Sequence, residues 1–72
     1  MNQLLIPIKD IMPGDVILFS DDLPMLCLSI IFNSESPNYK MMLGLLNKKG
    51  HLSLWKYSNL NRMVNLYFRV KL

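Results

Sequence analysis

The residues of this 72-residue sequence that could do nucleophilic or acid–base chemistry are few and far apart. Cys27, the one thiol, lies inside the apolar run 25–32, where a cysteine is usually a small hydrophobe. His51, the one imidazole, has no cysteine or acidic residue near it in the sequence to serve as nucleophile or orienting partner. We therefore predict an unreactive Cys27 and a solvent-exposed His51, and we predict that the protein is not an enzyme.

Metal and cofactor chemistry has equally little support in the sequence. Asp21 and Asp22 could bind a cation, but no spaced set of further ligands completes a site around them. A single cysteine forms neither an intrachain disulfide nor a zinc cluster, and no glycine-rich loop is present to hold a phosphate group. We predict no metal and no cofactor.

The same features indicate where the protein works. Without a disulfide framework, the expected setting is a reducing cytoplasm. The first ten residues lack a basic region and contain Pro7, which is atypical of a signal peptide. The longest apolar run, 25–32, is too short to cross a bilayer as a helix, so we expect no membrane contact.

Binding chemistry is better supported, because basic and aromatic residues are interleaved in the second half of the chain. Residues 1–35 hold five acidic residues and one basic residue, whereas residues 36–72 hold seven basic residues and no acidic one. Such a half-chain can form a positive face that attracts phosphate or an acidic protein surface, unless the two halves interleave in space and weaken the asymmetry. The candidate binding residues are Lys48, Lys49, Trp55, Lys56, Tyr57, Tyr67, Arg69 and Lys71.

A hairpin must position the first five of these residues. The turn 47–50, Asn-Lys-Lys-Gly, separates two apolar runs, and its final glycine can take the positive φ that a short hairpin loop needs. After the turn, alternation places Leu52 and Leu54 on one face and Trp55 and Tyr57 on the other. We predict that the leucine face is buried, which leaves Trp55 and Tyr57 pointing outward among lysines.

The last strand shows the clearest alternation in the chain and must position the remaining three candidates. Its apolar residues occur at every second position, and the residues between them are polar, basic or aromatic. The predicted core face is Val64, Leu66, Phe68, Val70 and Leu72, and the predicted outer face is Asn65, Tyr67, Arg69 and Lys71.

The other elements follow from apolar runs and turn residues. Pro7 confines the leading strand 3–8 to an edge or an irregular position, and Pro13-Gly14 predicts a type II turn. In the central strand 25–32, alternation assigns Leu26, Leu28, Ile30 and Phe32 to the core and places Cys27 with Ser29 on the other face.

This order of elements resembles the SH3-like small β-barrel over about residues 11–72. The resemblance implies an all-β single domain spanning 1–72, a five- to six-stranded antiparallel barrel with one short 3₁₀ turn before the last strand. Its matching segments would be the loops Ser20–Pro24 and Asn33–Asn38, the distal hairpin Asn47–Gly50 and the 3₁₀ turn Ser58–Met63. The stretch Met12-Pro13-Gly14-Asp15-Val16-Ile17 is similar to the turn that leads into the first strand of many bacterial and phage barrels.

The amino-acid composition guides the choice between the possible functions of such a barrel. Hydrophobic residues make up 51% of the chain, including fourteen leucines and six methionines, and either they fill a small barrel or part of this surface remains for a partner. We favour a non-enzymatic binding module that attaches to and modulates a larger protein or nucleoprotein machine, such as a phage-encoded inhibitor or adaptor. Strand addition at an edge could also form a homodimer. The alternative is a nucleic-acid-binding barrel in which Trp55 and Tyr57 stack on bases and the basic residues contact phosphates.

Overall fold

The computed structural model describes residues 4–20 and 23–70, which form one antiparallel sheet of six strands. The strands are β1 (Leu4–Pro7), β2 (Asp15–Leu18), β3 (Pro24–Phe32), β4 (Met41–Asn47), β5 (Leu52–Tyr57) and β6 (Met63–Arg69). Their order across the sheet is β1-β6-β2-β3-β4-β5, so β1 and β5 are the two edges and β3 is internal. The all-β class and the antiparallel strands are confirmed, and within the described residues no pairing joins β1 to β5 to close a barrel.

One face of the sheet encloses the core. Met41, Leu43 and Leu45 of β4 are fully buried there, and the core cluster consists of Ile8, Ile11, Ile17, Met25, Cys27, Met41, Leu43, Leu45, Tyr57 and Val64. The rings of Phe19 and Trp55 lie 4.7 Å apart although β3 and β4 separate β2 from β5. Neighbouring strands are about 4.8 Å apart, so this contact requires the sheet to curl around the core.

A bulge in β3 changes which of its side chains face the core. Cys27 pairs with Leu45 and Ser29 with Gly44, which leaves Leu28 as the extra residue. The predicted core set of this strand is therefore partly wrong. Cys27 is fully buried, Leu28 is exposed at the bulge, and Phe32 is exposed where β3 meets the polar loop 33–40. Ile30 is half-buried and packs against the core cluster as predicted, whereas Leu26, also assigned to the core, is half-buried on the opposite face of the sheet.

A second bulge, at Tyr67 in β6, corrects the prediction for the last strand. Val16 pairs with Phe68 and Ile17 with Leu66, so Tyr67 is the extra residue and the alternation reverses beyond it. Val64 and Leu66 face the core as predicted, whereas Phe68 and Val70 are exposed. Arg69 now occupies the position that pairs with Asp15, and Leu72 lies outside the described residues.

The predicted hairpin is confirmed, but the predicted burial of its second strand is wrong. The register places the buried residues Met41, Leu43 and Leu45 of β4 opposite Tyr57, Trp55 and Ser53. Directly paired residues point to the same side of the sheet, so the aromatic side of β5 faces the core. Tyr57 is buried and Trp55 is 36% exposed, whereas Leu52 and Leu54, predicted to be buried, are 61% and 63% exposed.

The Pro13-Gly14 turn forms as predicted, and the 3₁₀ turn lies elsewhere. Gly14 has φ 96°, and the Asp15 amide donates to the Met12 carbonyl over 3.0 Å. The 3₁₀ turn spans Ile8–Asp10, whereas the predicted segment 58–63 contains a plain turn. That turn is fixed by its own side chain, because Asn59 Oδ1 accepts a hydrogen bond from the Asn61 amide. The 3₁₀ turn therefore precedes β2, whereas the prediction placed it before β6.

The hairpin turn provides a first prediction about the backbone. Gly50 has φ 85°, and no atom lies within 4 Å of the position that a Cβ would take. Gly50→Ala should therefore lower the free energy of unfolding by about 1 kcal/mol, through backbone strain alone. Gly50→Asn is the matched control, because asparagine tolerates this conformation and should cost less. Equal stability of all three proteins in urea unfolding would contradict the strained turn.

Candidate binding surfaces

The face of the sheet opposite the core has an apolar row that crosses five strands. The register joins Phe68 to Val16, Val16 to Leu26, Leu26 to Leu46 and Leu46 to Leu52. Paired residues of antiparallel strands project to the same side, so these five side chains form one continuous row. Together with two neighbours on the same face they make up the outer apolar face: Val16, Leu26, Ile31, Leu46, Leu52, Leu54 and Phe68.

The outer apolar face is exposed to solvent at four of its seven residues, whereas Leu26 and Leu46 are half-buried and Val16 is buried. Leu52, Leu54, Ile31 and Phe68 are each about half exposed or more. Between them lies a shallow groove of about 240 Å³, lined by Val16, Pro24, Leu26, Leu46, Asn47 and Lys48. Among the described residues no helix or second sheet packs against this face. Large apolar side chains that remain exposed at both ends of such a row are typical of a partner-binding surface.

The charged groups beside the outer apolar face on β4, β5 and the turn between them are all basic. Lys48 lines the groove, Lys49 follows it in the turn, and Lys56 shares the outer face with Leu54 on β5. Residues 36–72 contain no acidic residue. The surface around Leu52 and Leu54 is therefore apolar with a positive rim.

The basic and aromatic candidates are brought together only in part. Trp55, Lys56 and Tyr57 line a cleft of about 210 Å³ whose other walls are Ser58, Asn59 and Arg62. The guanidinium of Arg62 lies 5.8 Å from the centre of the Tyr57 ring. Sequence reasoning missed Arg62 at this cleft, although it is the one basic residue of the turn before β6.

Tyr57 is not available as an outward stacking platform, contrary to the sequence prediction. Its side chain belongs to the core, and burial raises the pKa of Tyr57, while nearby Arg62 acts in the opposite direction. Trp55 keeps part of its indole in solvent, with Nε1 donating to Ser53 Oγ over 2.9 Å. The cleft therefore offers one aromatic face beside one cation, Arg62, since the ammonium of Lys56 lies over the Tyr39 ring, 5.2 Å from its centre.

The other candidate residues lie apart from this cleft. Lys48 and Lys49 are exposed in the hairpin turn, and Tyr67 is half-buried at the β6 bulge with its ring against Phe68. Lys71 lies outside the described residues. The eight candidates therefore do not form one continuous face.

Arg69 is held by a buried carboxylate. Its Nε lies 2.6 Å from Asp15 Oδ1 and its Nη2 lies 3.1 Å from Oδ2, which also accepts from the Met12 amide over 2.9 Å. The Asp15 side chain is fully buried, and the hydrogen bond that Arg69 donates to it raises the pKa of Arg69. This pair joins the start of β2 to the end of β6 and leaves Arg69 less free to bind phosphate.

Cys27 occupies the core without a catalytic environment. Burial, and to a smaller degree the negative charge of Asp15, together raise the pKa of the Cys27 thiol to about 11. Its Sγ–H points toward the Ser29 carbonyl at 3.6 Å. A thiol of this kind stays protonated at neutral pH and is a poor nucleophile.

The shifted thiol predicts how stability depends on pH. Between its ordinary pKa of 9.0 and about 11, Cys27 releases its proton in the unfolded chain and retains it in the folded protein. The contribution of Cys27 to the free energy of unfolding should therefore not change with pH below pH 9. As pH rises from 9 to 11, this contribution should lower the free energy of unfolding by about 2 kcal/mol. Cys27→Ala should unfold with a flatter dependence over this interval in urea titrations. An identical slope for both proteins would contradict the assignment.

Comparison with other proteins provides no further guide to these surfaces. No protein-family profile matches the chain, and searches of curated proteins and of solved structures found no match. In the described part of the chain, no helix is long and apolar enough to span a membrane. No three histidine, cysteine or acidic side chains come together as metal ligands in residues 4–20 and 23–70.

Proposed function

We propose that this protein is a non-enzymatic binding module that attaches through its outer apolar face to a larger protein or nucleoprotein machine and modulates it. The observation that carries the proposal is the apolar row across five strands, ending at Leu52 with Leu54 beside it. Burial of such surface is favourable by about 25 cal/mol per square ångström, before the entropy cost of association is subtracted. The exposed leucines are therefore the expected main source of affinity.

Beyond the all-β fold class, we also propose a specific architecture and a source for the chain. We propose that the curled sheet is an SH3-like barrel left open between β1 and β5, and that the chain is a phage-encoded or bacterial accessory protein acting in the cytoplasm. The Pro13-Gly14 turn before β2, the hairpin turn at Gly50 and the Phe19–Trp55 contact support this proposal.

The experiment is a pull-down from bacterial lysate with the immobilised protein, after nuclease treatment and at two salt concentrations. The wild-type chain should retain a stoichiometric protein at both salt concentrations. Leu52→Lys with Leu54→Lys should lose it, whereas Arg62→Ala, which alters the cleft on the other side of β5, should retain it. Loss of the partner from the cleft variant, with retention by the leucine variant, would overturn the proposal.

Nucleic-acid binding is the second candidate, and one observation favours it. Trp55 lines a cleft with Arg62, and a partly exposed indole beside a cation suits a stacked base and its phosphate. If this function holds, a fluorescent oligothymidine should bind at low salt and dissociate as salt is raised, and Arg62→Ala should weaken binding. Absence of anisotropy change at low salt would exclude it.

A further inference from the structure

The free edge of the sheet at β5 adds a second binding feature to the outer apolar face. The Asn47 amide donates to the His51 carbonyl, and the Lys40 amide donates to the Tyr57 carbonyl. Backbone groups alternate in direction along a strand, so the odd-numbered residues of β5 bond to β4. Leu52, Leu54 and Lys56 therefore direct their N–H and C=O groups away from the sheet, where the described residues supply no further strand.

The same three residues offer a partner strand both free backbone groups and side chains to contact. The side chains of Leu52, Leu54 and Lys56 project onto the outer face, because they pair with Leu46, Gly44 and Met42 of β4. A strand added beside β5 would satisfy these backbone groups and at once extend the outer apolar face by one column. Its side chains on that face would lie next to Leu52 and Leu54.

Charge selects the partner strand. Lys48 and Lys49 lie in the turn at one end of β5, Lys56 lies toward its other end, and no acidic residue occurs in 36–72. A second copy added at this edge would bring lysines against lysines, beside Lys56 in a parallel pair and near the hairpin turn in an antiparallel one. Like charges in neighbouring strands disfavour pairing, whereas carboxylates at these positions favour it.

We propose that the β5 edge binds an extended segment of a partner protein by strand addition, and that this segment is apolar at its centre and acidic at its ends. The inference rests on the proposed function of the outer apolar face and names the chemistry of its partner. The apolar residues of the segment cover Leu52 and Leu54, and its carboxylates pair with Lys48, Lys49 and Lys56.

The test uses three synthetic peptides and the whole protein. The first peptide has two glutamates at each end around Val-Thr-Val-Thr, and the second replaces the glutamates with lysines. The third has the sequence of the first, but every second backbone nitrogen is methylated, namely those whose N–H groups would face β5. Amide hydrogen exchange is followed by NMR. At a peptide concentration of about ten times Kd, the glutamate peptide should slow exchange about tenfold at Leu52, Leu54 and Lys56. The register directs the amides of Ser53 and Trp55 toward β4, so their exchange should already be slow in the free protein.

The controls separate strand addition from other kinds of binding. The lysine peptide should bind at least about tenfold more weakly at low salt, with a smaller difference at high salt. The methylated peptide should not bind, and Lys56→Glu should reduce the preference for glutamate. Equal binding of the methylated peptide, protection confined to other strands, or protection of these amides by self-association alone would each overturn the inference. If the pull-down still depends on Leu52 and Leu54 in any of those cases, the proposed function stands without strand addition.

Discussion

Leu43→Ala is expected to lower the free energy of unfolding by about 4 kcal/mol, the cost typical of truncating a fully buried leucine. Leu43 has no exposed surface, lies in the middle of β4, and pairs with Ile30 on one side and Trp55 on the other. A domain of this size has a total stability of about 4–10 kcal/mol. The substitution should therefore remove a large part of the total stability and move the unfolding midpoint to a much lower urea concentration.

Urea unfolding followed by the fluorescence of Trp55, the one tryptophan, measures this loss. Leu46→Ala is the matched control, because Leu46 lies on the same strand with its side chain on the outer face. It should cost about 1 kcal/mol, since less surface is returned to water. Equal costs for the two substitutions would contradict the division of β4 into a core side and an outer side.

Asp15→Ala should have the second-largest effect, a loss of about 3 kcal/mol. The substitution removes a buried carboxylate that accepts hydrogen bonds from Arg69 and from the Met12 amide. The Met12 amide then lacks its side-chain acceptor, and β2 loses its side-chain connection to the end of β6. The measurement is the midpoint and slope of urea unfolding at neutral pH.

Asp15→Asn separates charge from shape. Asparagine keeps the size of the side chain and one oxygen for the Met12 amide, so this variant should fall between wild type and Asp15→Ala. Wild-type stability of the alanine variant would show that the ion pair does not hold the two strands together.

The sequence predicted those elements whose signal is local. Pro13-Gly14 and Gly50 mark turns because each turn needs a positive φ at a glycine, and both glycines adopt it. Pro7 lies in the edge strand β1, in agreement with its missing amide donor. Hairpin pairing around 47–50 follows from the same local chemistry.

The face of each strand could not be predicted in the same way. In β3 and β6 the bulges at Leu28 and Tyr67 reverse the alternation, and neither residue carries a signal for a bulge. In β5 both sides are apolar, so the pattern alone does not choose between the leucines and the aromatic residues. The choice follows from the register with β4, where Leu45 meets Ser53. Register depends on tertiary packing, which is not visible within a single strand.

The orientation of β5, opposite to the predicted one, also changes where the candidate site lies. Placing Trp55 and Tyr57 outward favoured a basic aromatic face, whereas the register exposes Leu52 and Leu54 instead. The excess of leucine in the sequence is thereby explained in part by surface residues. Arg69, predicted to bind a partner, contacts Asp15 in the structure.

The most direct measurement is the free energy of unfolding of the double variant Leu52→Lys with Leu54→Lys. Both side chains are more than half exposed, so the variant should unfold within about 1 kcal/mol of wild type, as surface substitutions usually do. That result would show that the two leucines do not contribute to the core and are free to contact a partner. A loss of several kcal/mol, close to that of Leu43→Ala, would show that they are core residues and would contradict the account.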